Sequence, residues 1–588
     1  MARSLGCKTS GCFPIEPKSY ATTQPPDPDA LWLTRHQHAA YKLLFLLISL
    51  VLSDNRIAIE KLHALLWEKG PFFFYCWKEK NSIVYRRRTK PGQGVSLSMF
   101  RIQLRTMSSK TAKSDYPKEF VNFLNSSHSP YHAVHNIKEH LVSKGFKELS
   151  ERESWADEVA LKGKYFVTRN SSSIIAFAVG GKWKPGNAIA ITGAHTDSPV
   201  LRIKPISKRV SEKYLQVGVE CYGGAIWHSW FDKDLGVAGR VFVKDAKTGK
   251  SVARLVDLDK PLLKIPTLAI HLDRDVNQKF EFNRESQLLP IGGLQRDKTE
   301  ASPAKETDET GFSSIKTIVE RHHEELLELV AKELAIDAIE DIEDFELILY
   351  DHNASTLGGF HDEFVFSGRL DNLTSCFTSM HGLTLAADTE IDQESGIRLM
   401  ACFDHEEIGS SSAQGADSNF LPNILERLTI LKGDGSDASK PLSNSSILET
   451  SAKSFFLSSD VAHAVHPNYA SKYEGQHKPL LGSGPVIKIN ANQRYMTNSP
   501  GLVLVKRLAD AAKVPLQLFV VANDSPCGST IGPILASKTG IRTLDLGNPL
   551  LSMHSIRETA GSADLEYQIK LFKEFFERYS SIESEIVV

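Results

Sequence analysis

At 588 residues the chain exceeds the size at which one hydrophobic core usually stops growing, which predicts at least two domains. Hydrophobic residues at 41% and charged residues at 24% match a soluble globular enzyme and exclude a disordered or fibrous chain. A net charge of −2 argues against a basic nucleic-acid surface and against electrostatic membrane attachment.

Residues 1–106 read differently from the rest and are expected to be a poorly ordered N-terminal extension. Their run Leu43–Leu52 (LLFLLISLVL) follows Arg35 and Lys42. It is too short to span roughly 30 Å of hydrocarbon as a helix, and it starts too far from Met1 for an ordinary secretory signal. A targeting or anchoring segment, or a stretch missing from the mature protein, are the alternatives. Met107 opens a segment that reads like a normal protein start. No stable membrane insertion is expected. The expected location is cytoplasmic, with an organellar address through the tail as the alternative.

From Tyr116 an apolar pattern through Phe120, Phe123, Leu124, Val134, Ile137 and Leu141 predicts two short helices. Short β-rich runs follow at 173–179, 188–192, 345–350, 397–403, 455–457, 516–522 and 541–546, with helical stretches between them. A final helical stretch carries a stripe of Ile569, Phe572, Phe576 and Tyr579. Alternation of this kind predicts an α/β fold, a sheet covered by helices on both faces. The stretch from about Leu201 to Gly358 departs from it. It holds β-type segments at 215–219 and 239–243, a polar linker near 296–310 and one amphipathic helix around 315–334. The expected organisation is a catalytic domain over 107–199 and 359–588, interrupted by an inserted domain over 200–358.

The chemistry-bearing residues fall just after β-type runs. His195 and Asp197 follow one, Asp371 another, and Glu406 and Glu407 come after Phe403. Asp460 follows Ser459, and His554 follows the run near Leu544. In an open α/β sheet the carboxyl ends of strands converge on one edge, where ligands bind. Two imidazoles and three carboxylates without a thiolate suit two zinc ions, with cobalt or manganese as substitutes. The carboxylate beside a ligand supplies a base: neighbours in an extended segment point different ways, so Glu407 can hold metal while Glu406 faces the water. Asp197, two residues past His195, is placed to accept the imidazole's other N–H and fix its tautomer. A dinuclear site of this kind activates water for attack on a scissile carbonyl, and the base passes the proton to the leaving amine.

Each piece alone is weak. A lone His-x-Asp is usually structural, an acidic run is usually a solvated turn, and His463 and His466 read equally as satisfied core histidines. His322 and His323 read as helix residues without a chemical role. The joint pattern carries the argument. Rival motifs are absent from the sequence: there is no His-Glu-x-x-His, no Gly-x-Ser-x-Gly elbow and no phosphate loop. The seven cysteines include no CxxC pair, which argues against a thiolate zinc finger or a redox dithiol. Gly528-Ser-Thr-Ile-Gly532 reads as a tight turn entering a helix.

The strings Ala-His195-Thr-Asp197-Ser-Pro, Gly-Arg-Leu-Asp371-Asn, Asp-His-Glu406-Glu407-Ile-Gly-Ser, Ser-Asp460-Val-Ala-His463 and Ser-Met-His554-Ser-Ile-Arg-Glu closely resemble aspartyl aminopeptidases of the M18 metallopeptidase family. So do Val-Gly-Val-Glu220-Cys-Tyr-Gly-Gly and Asn523-Asp524-Ser-Pro-Cys-Gly-Ser-Thr-Ile-Gly-Pro. The resemblance runs from about residue 115 to the C-terminus. It implies a zinc-exopeptidase-like catalytic domain with an inserted β-rich dimerisation domain. It implies that His195, Asp371 and Asp460 hold one Zn2+ and that Asp371, Glu407 and His554 hold the other, with Glu406 as base and Asp197 orienting His195. It further implies peptide substrates with a free, acidic N-terminal residue, and a homo-oligomer, typically a tetrahedral dodecamer. Lys488 and Tyr495 match the family's acid-selective residues, an ammonium and a phenol suited to a short carboxylate; the residues alone make Lys488 a strand-end surface lysine. His463 joins them as a substrate-side residue, and His271 matches a histidine that reaches a partner subunit's site. Two other readings compete: a non-catalytic scaffold on the same fold, and a two-metal aminopeptidase of neutral or broad selectivity.

Overall fold

The computed structural model describes residues 74–79, 82–87, 100–103, 115–296, 314–430 and 445–586. The chain divides into two compact units, Met1–Lys113 and Ser114–Val588. In the first, the strands Phe74–Glu79, Ser82–Arg87 and Phe100–Gln103 pair antiparallel, so the extension expected to be poorly ordered includes a small sheet. Its apolar run Leu43–Leu52, like most of the polar linker near 296–310, lies outside the described residues.

The second unit is built on a nine-stranded mixed sheet flanked by helices. Its middle strands Ser173–Val179, Ile189–His195, Ile397–Phe403 and Phe455–Ser459 are buried along their whole length, as strands covered on both faces should be. Side chains alternate between two cores. Ile189, Ile191, Leu399 and Phe403 pack with Phe420, Ile424 and Leu428 on one face. Ala190, Ala194, Met400 and Cys402 pack on the other with Phe377, Ile569, Phe572 and Phe576. The apolar stripe of the last helix, Ser562–Ile582, is thereby buried. Each fully buried Phe contributes on the order of 1.5–3 kcal/mol. Ile189–His195 pairs parallel with Ile397–Phe403 and with Phe455–Ser459, so three strand ends lie side by side.

Six strands from Val200–Ser211 to Ile342–Asp351 close into a barrel with its own core. The run Phe345–Tyr350 belongs to this barrel, not to the large sheet. The single amphipathic helix expected around 315–334 is two helices, Ile318–Arg321 and Glu324–Glu333. The break falls at His322 and His323, both with extended backbone. Their buried rings bond to barrel strands instead, His322 Nδ1 to Ser207 Oγ at 2.8 Å and His323 Nε2 to the carbonyls of Arg209 and Gln216 at 3.0 and 2.9 Å. A five-stranded sheet, Thr356–Gly358, Phe364–Ser367, Glu558–Gly561, Pro549–Leu551 and Ala462–His463, completes the unit. Among the described residues no helix is long and apolar enough to cross a membrane.

Candidate metal centre

His195 closes its strand and is buried, with Nδ1 3.0 Å from the Asp197 carbonyl oxygen. Donation there leaves the Nε2 lone pair free to bind a cation. Nε2 lies 3.2 Å from Asp371 Oδ1, 3.8 Å from Asp460 Oδ1 and 4.0 Å from Glu406 Oε2. His554 has the same arrangement: Nδ1 is 3.0 Å from the Gly224 carbonyl, and Nε2 lies 3.3 Å from Asp371 Oδ2 and 3.4 Å from Glu407 Oε2. Asp371 thus stands between two imidazoles with one oxygen towards each. Ligand atoms of His195, Asp371 and Glu407 all lie within 4.8 Å of one another.

The five residues do not share one sheet edge. His195, Glu407 and Asp460 follow the three parallel strands of the large sheet. Asp371 follows Phe364–Ser367, and His554 lies between Pro549–Leu551 and Glu558–Gly561, both in the five-stranded sheet. Nor is the Glu406–Glu407 segment extended. It is a 3-10 turn, Glu406–Ile408, framed by the left-handed residues His405 and Gly409. The turn still separates the two side chains, one towards His195 and the other towards His554.

The donor set fits divalent zinc. Asp371 Oδ1 and Glu407 Oε1 are buried without a hydrogen-bond partner, a cost of about 1–3 kcal/mol each that a cation would relieve. Burial and the Asp371 charge push the Glu407 carboxyl well above its ordinary range. Burial draws the His554 imidazole down, but Asp371 and Glu407 outweigh it and hold it at about 10. The same balance holds Asp371 low: burial raises it, while His195 and His554 pull it down further. Carboxylates and imidazoles converging in low dielectric, with protons that a cation would displace, are what nitrogen-and-oxygen zinc sites supply.

The profile of the Aminopeptidase I zinc metalloprotease (M18) family matches residues 123–576. The chain belongs to the M18 family. It is 90% identical over 490 residues to aspartyl aminopeptidase 4 of Saccharomyces cerevisiae, covering 83% of this chain and 100% of that one. The cryo-EM structure of the Ape4 and Nbr1 complex is similar at 50% identity and a TM-score of 0.74, over 81% of this chain and 87% of that one. The Saccharomyces cerevisiae mApe1 dodecamer is similar at 30% identity and a TM-score of 0.68, over 80% and 98%. The M18 chain is a zinc-dependent aminopeptidase.

In this M18 chain Lys488 is no surface residue. It is buried, with Nζ 3.1 Å from the Val461 carbonyl, 3.4 Å from Asp460 Oδ2 and 4.9 Å from the centroid of the buried Tyr495 ring. His463 is exposed and borders a recess of about 370 Å³ that includes Tyr469 and Phe519. His271 lies exposed between strands Ser251–Lys264 and Ile291–Leu294, and none of the ion pairs that join the centre includes it.

The Asp197 carboxylate stands beside the His195 ring. Its Oδ1 is 3.3 Å from His195 Nδ1, which donates to the main-chain carbonyl of the same residue. The carboxylate also accepts the N–H groups of Glu406 and Glu407 at 3.1 and 3.0 Å. Sequence reasoning gave Glu558 no role. It is buried and accepts from the N–H of Asp371 at 3.1 Å and of His554 at 2.8 Å, tying the turns of these two residues together. Its signal was the Glu that ends Ser-Met-His554-Ser-Ile-Arg-Glu.

Proposed function

We propose that this M18 aminopeptidase removes acidic residues from peptide N-termini at a dinuclear zinc centre. His195, Asp371 and Asp460 would hold one ion and Asp371, Glu407 and His554 the other. The observation that supports this most is the pair of Asp371 oxygens directed at two imidazoles, 3.2 and 3.3 Å away. Bound zinc supplies Lewis-acid polarisation of the scissile carbonyl and a lowered pKa for the attacking water.

The remaining work falls to the chain. Glu406, beside His195 and outside both proposed ligand sets, takes the proton of the attacking water at a carboxylate oxygen and delivers it to the departing amine. Burial pushes its carboxyl up to about 8; the Asp460, Asp197 and Asp371 charges add to that and His195 opposes it. Asp197 fixes the Glu406–Glu407 turn through its two amide contacts. Lys488 and Tyr495 bind the acidic side chain of the substrate, and His463 lines the path beside them. The likeness to the relative at 90% identity, an aspartyl aminopeptidase, supports the acidic preference.

The likeness to the mApe1 dodecamer supports a homo-oligomer, for which we propose a tetrahedral dodecamer with His271 reaching a neighbouring subunit's site. A cytoplasmic location is the simplest reading of the composition. The test is a panel of chromogenic amides assayed on the zinc-loaded chain with and without a chelator. Aspartate and glutamate release should dominate and should stop with the chelator. Leucine release at equal rates would contradict the acidic preference.

A further inference from the structure

We propose that Tyr222, Gly223 and Gly224 are positioning residues for the metal centre, so that the barrel helps to set its zinc affinity. The proposal rests on the metal-centre reading above. Tyr222 is the last residue of the barrel strand Tyr214–Tyr222, and the two glycines leave the barrel directly after it. Each of the three meets a different part of the centre.

The buried Tyr222 hydroxyl donates to Asp197 Oδ2 at 2.8 Å. Asp197 is itself fully buried, and its two oxygens also accept the amides of Glu406 and Glu407. The phenol therefore completes the set of donors that keeps this carboxylate in place, and through it the turn that carries the base and a proposed ligand. Gly223 has a φ of +73°, and a methyl group built on it would lie 3.2 Å from Glu407 Cβ and 3.3 Å from Pro199 Cβ. Only glycine combines that backbone with so close an approach. The Gly224 carbonyl accepts from His554 Nδ1 at 3.0 Å, which selects the tautomer whose Nε2 faces Asp371 and Glu407. Two residues on, the Ile226 amide donates to the His554 carbonyl at 2.8 Å. A continuous segment of one domain thus grips the proposed ligands Glu407 and His554 and the residue that braces the base. Contacts of this kind orient metal ligands, and their loss costs roughly 10–100-fold in metal affinity.

The test is the zinc dissociation constant of the full, metal-stripped chain, read by competition with a chromogenic chelator. Tyr222→Phe keeps the ring and removes the one donor; it should bind zinc at least about ten-fold more weakly. Gly223→Ala should weaken binding similarly by displacing Glu407. Tyr165→Phe is the control: Tyr165 is also a buried phenol, but it lies on the strand Lys164–Arg169 and donates to the Glu158 carbonyl at 2.9 Å, and its loss should leave zinc affinity unchanged. Melting temperatures of the metal-free variants establish that each is folded. Should Tyr222→Phe fail to fold, Gly223→Ala decides. Wild-type affinity in both variants, or an equal loss in Tyr165→Phe, overturns the proposal. A wild-type chain that takes up no zinc overturns the metal centre itself, which is a distinguishable result.

Discussion

Glu406 and its neighbour Glu407 share Asp197 at their amides, but their carboxylates face different imidazoles. Glu407 Oε2 faces His554 at 3.4 Å, while Glu406 Oε2 stands 4.0 Å from His195 and joins neither proposed ligand set. Glu406→Gln keeps the shape and removes the proton acceptor. It should lower kcat by about 10²–10⁴-fold while leaving zinc content at the wild-type level; unchanged turnover would exclude Glu406 as base. Lys488→Ala removes a buried ammonium that also neutralises Asp460. The ratio of kcat/KM for aspartyl over leucyl substrates should fall about ten-fold or more, since an ionic hydrogen bond is lost only for the former. An equal fall for both substrates would point to Asp460 alone. Lys488 also marks a boundary of sequence reading. Its type and its place at a strand end say surface, and only the packing of Val461 and Tyr495 around it says otherwise.

At the scale of elements, the site depends on how closely strands approach. Gly547 ends the strand Arg542–Gly547, and a methyl group there would lie 1.9 Å from the Asp460 carbonyl oxygen. Gly547→Ala should therefore shift the Asp460 turn, destabilise the fold by about 1–3 kcal/mol and reduce zinc uptake; a melting curve and a metal analysis check both. Much at this scale was legible. The runs 397–403 and 188–192, apolar but for Arg398 and Thr192, read as buried strands, and the polar residues that follow them, Asp404 to Glu407 and His195, suggest a site at the strand ends. Three things were not legible. Pairing partners are set by contacts far along the chain, so the division of ligands between two sheets left no local trace. The left-handed backbone at His405 turns an apparently extended Glu-Glu pair into a 3-10 turn. The helix break at His322 is made by hydrogen bonds to strands more than a hundred residues away in the chain. The same holds for Tyr222, whose partner Asp197 lies in the loop after the strand Ile189–His195 of the large sheet.

For the whole molecule, crowding three carboxylates and two imidazoles makes metal and stability inseparable. Without metal, burial above all holds the Glu406 carboxyl at about 8; burial and the Asp371 charge hold Glu558 at about 8, against an ordinary 4.5 for both. The folded chain then binds more protons than the unfolded chain between those values, so stability falls as pH rises through them. The imidazole of His554, held at about 10 against an ordinary 6.5, contributes stability that is complete below 6.5 and lost towards 10. Above about pH 6.5, where the buried imidazoles of His132, His140, His322 and His381 are neutral in the folded and unfolded chain alike, the melting temperature of the metal-free chain should decline towards about pH 10, and the gain on adding zinc should grow over the same range. A zinc-induced gain that shrinks with rising pH would contradict this.

The most direct measurement is zinc stoichiometry per chain, in the wild type and in two single variants. Two equivalents are predicted for the wild type, one for His554→Ala and none for Asp371→Ala, because Asp371 alone serves both ions. One equivalent in the wild type, or zinc retained after Asp371 is removed, would contradict the shared-carboxylate centre.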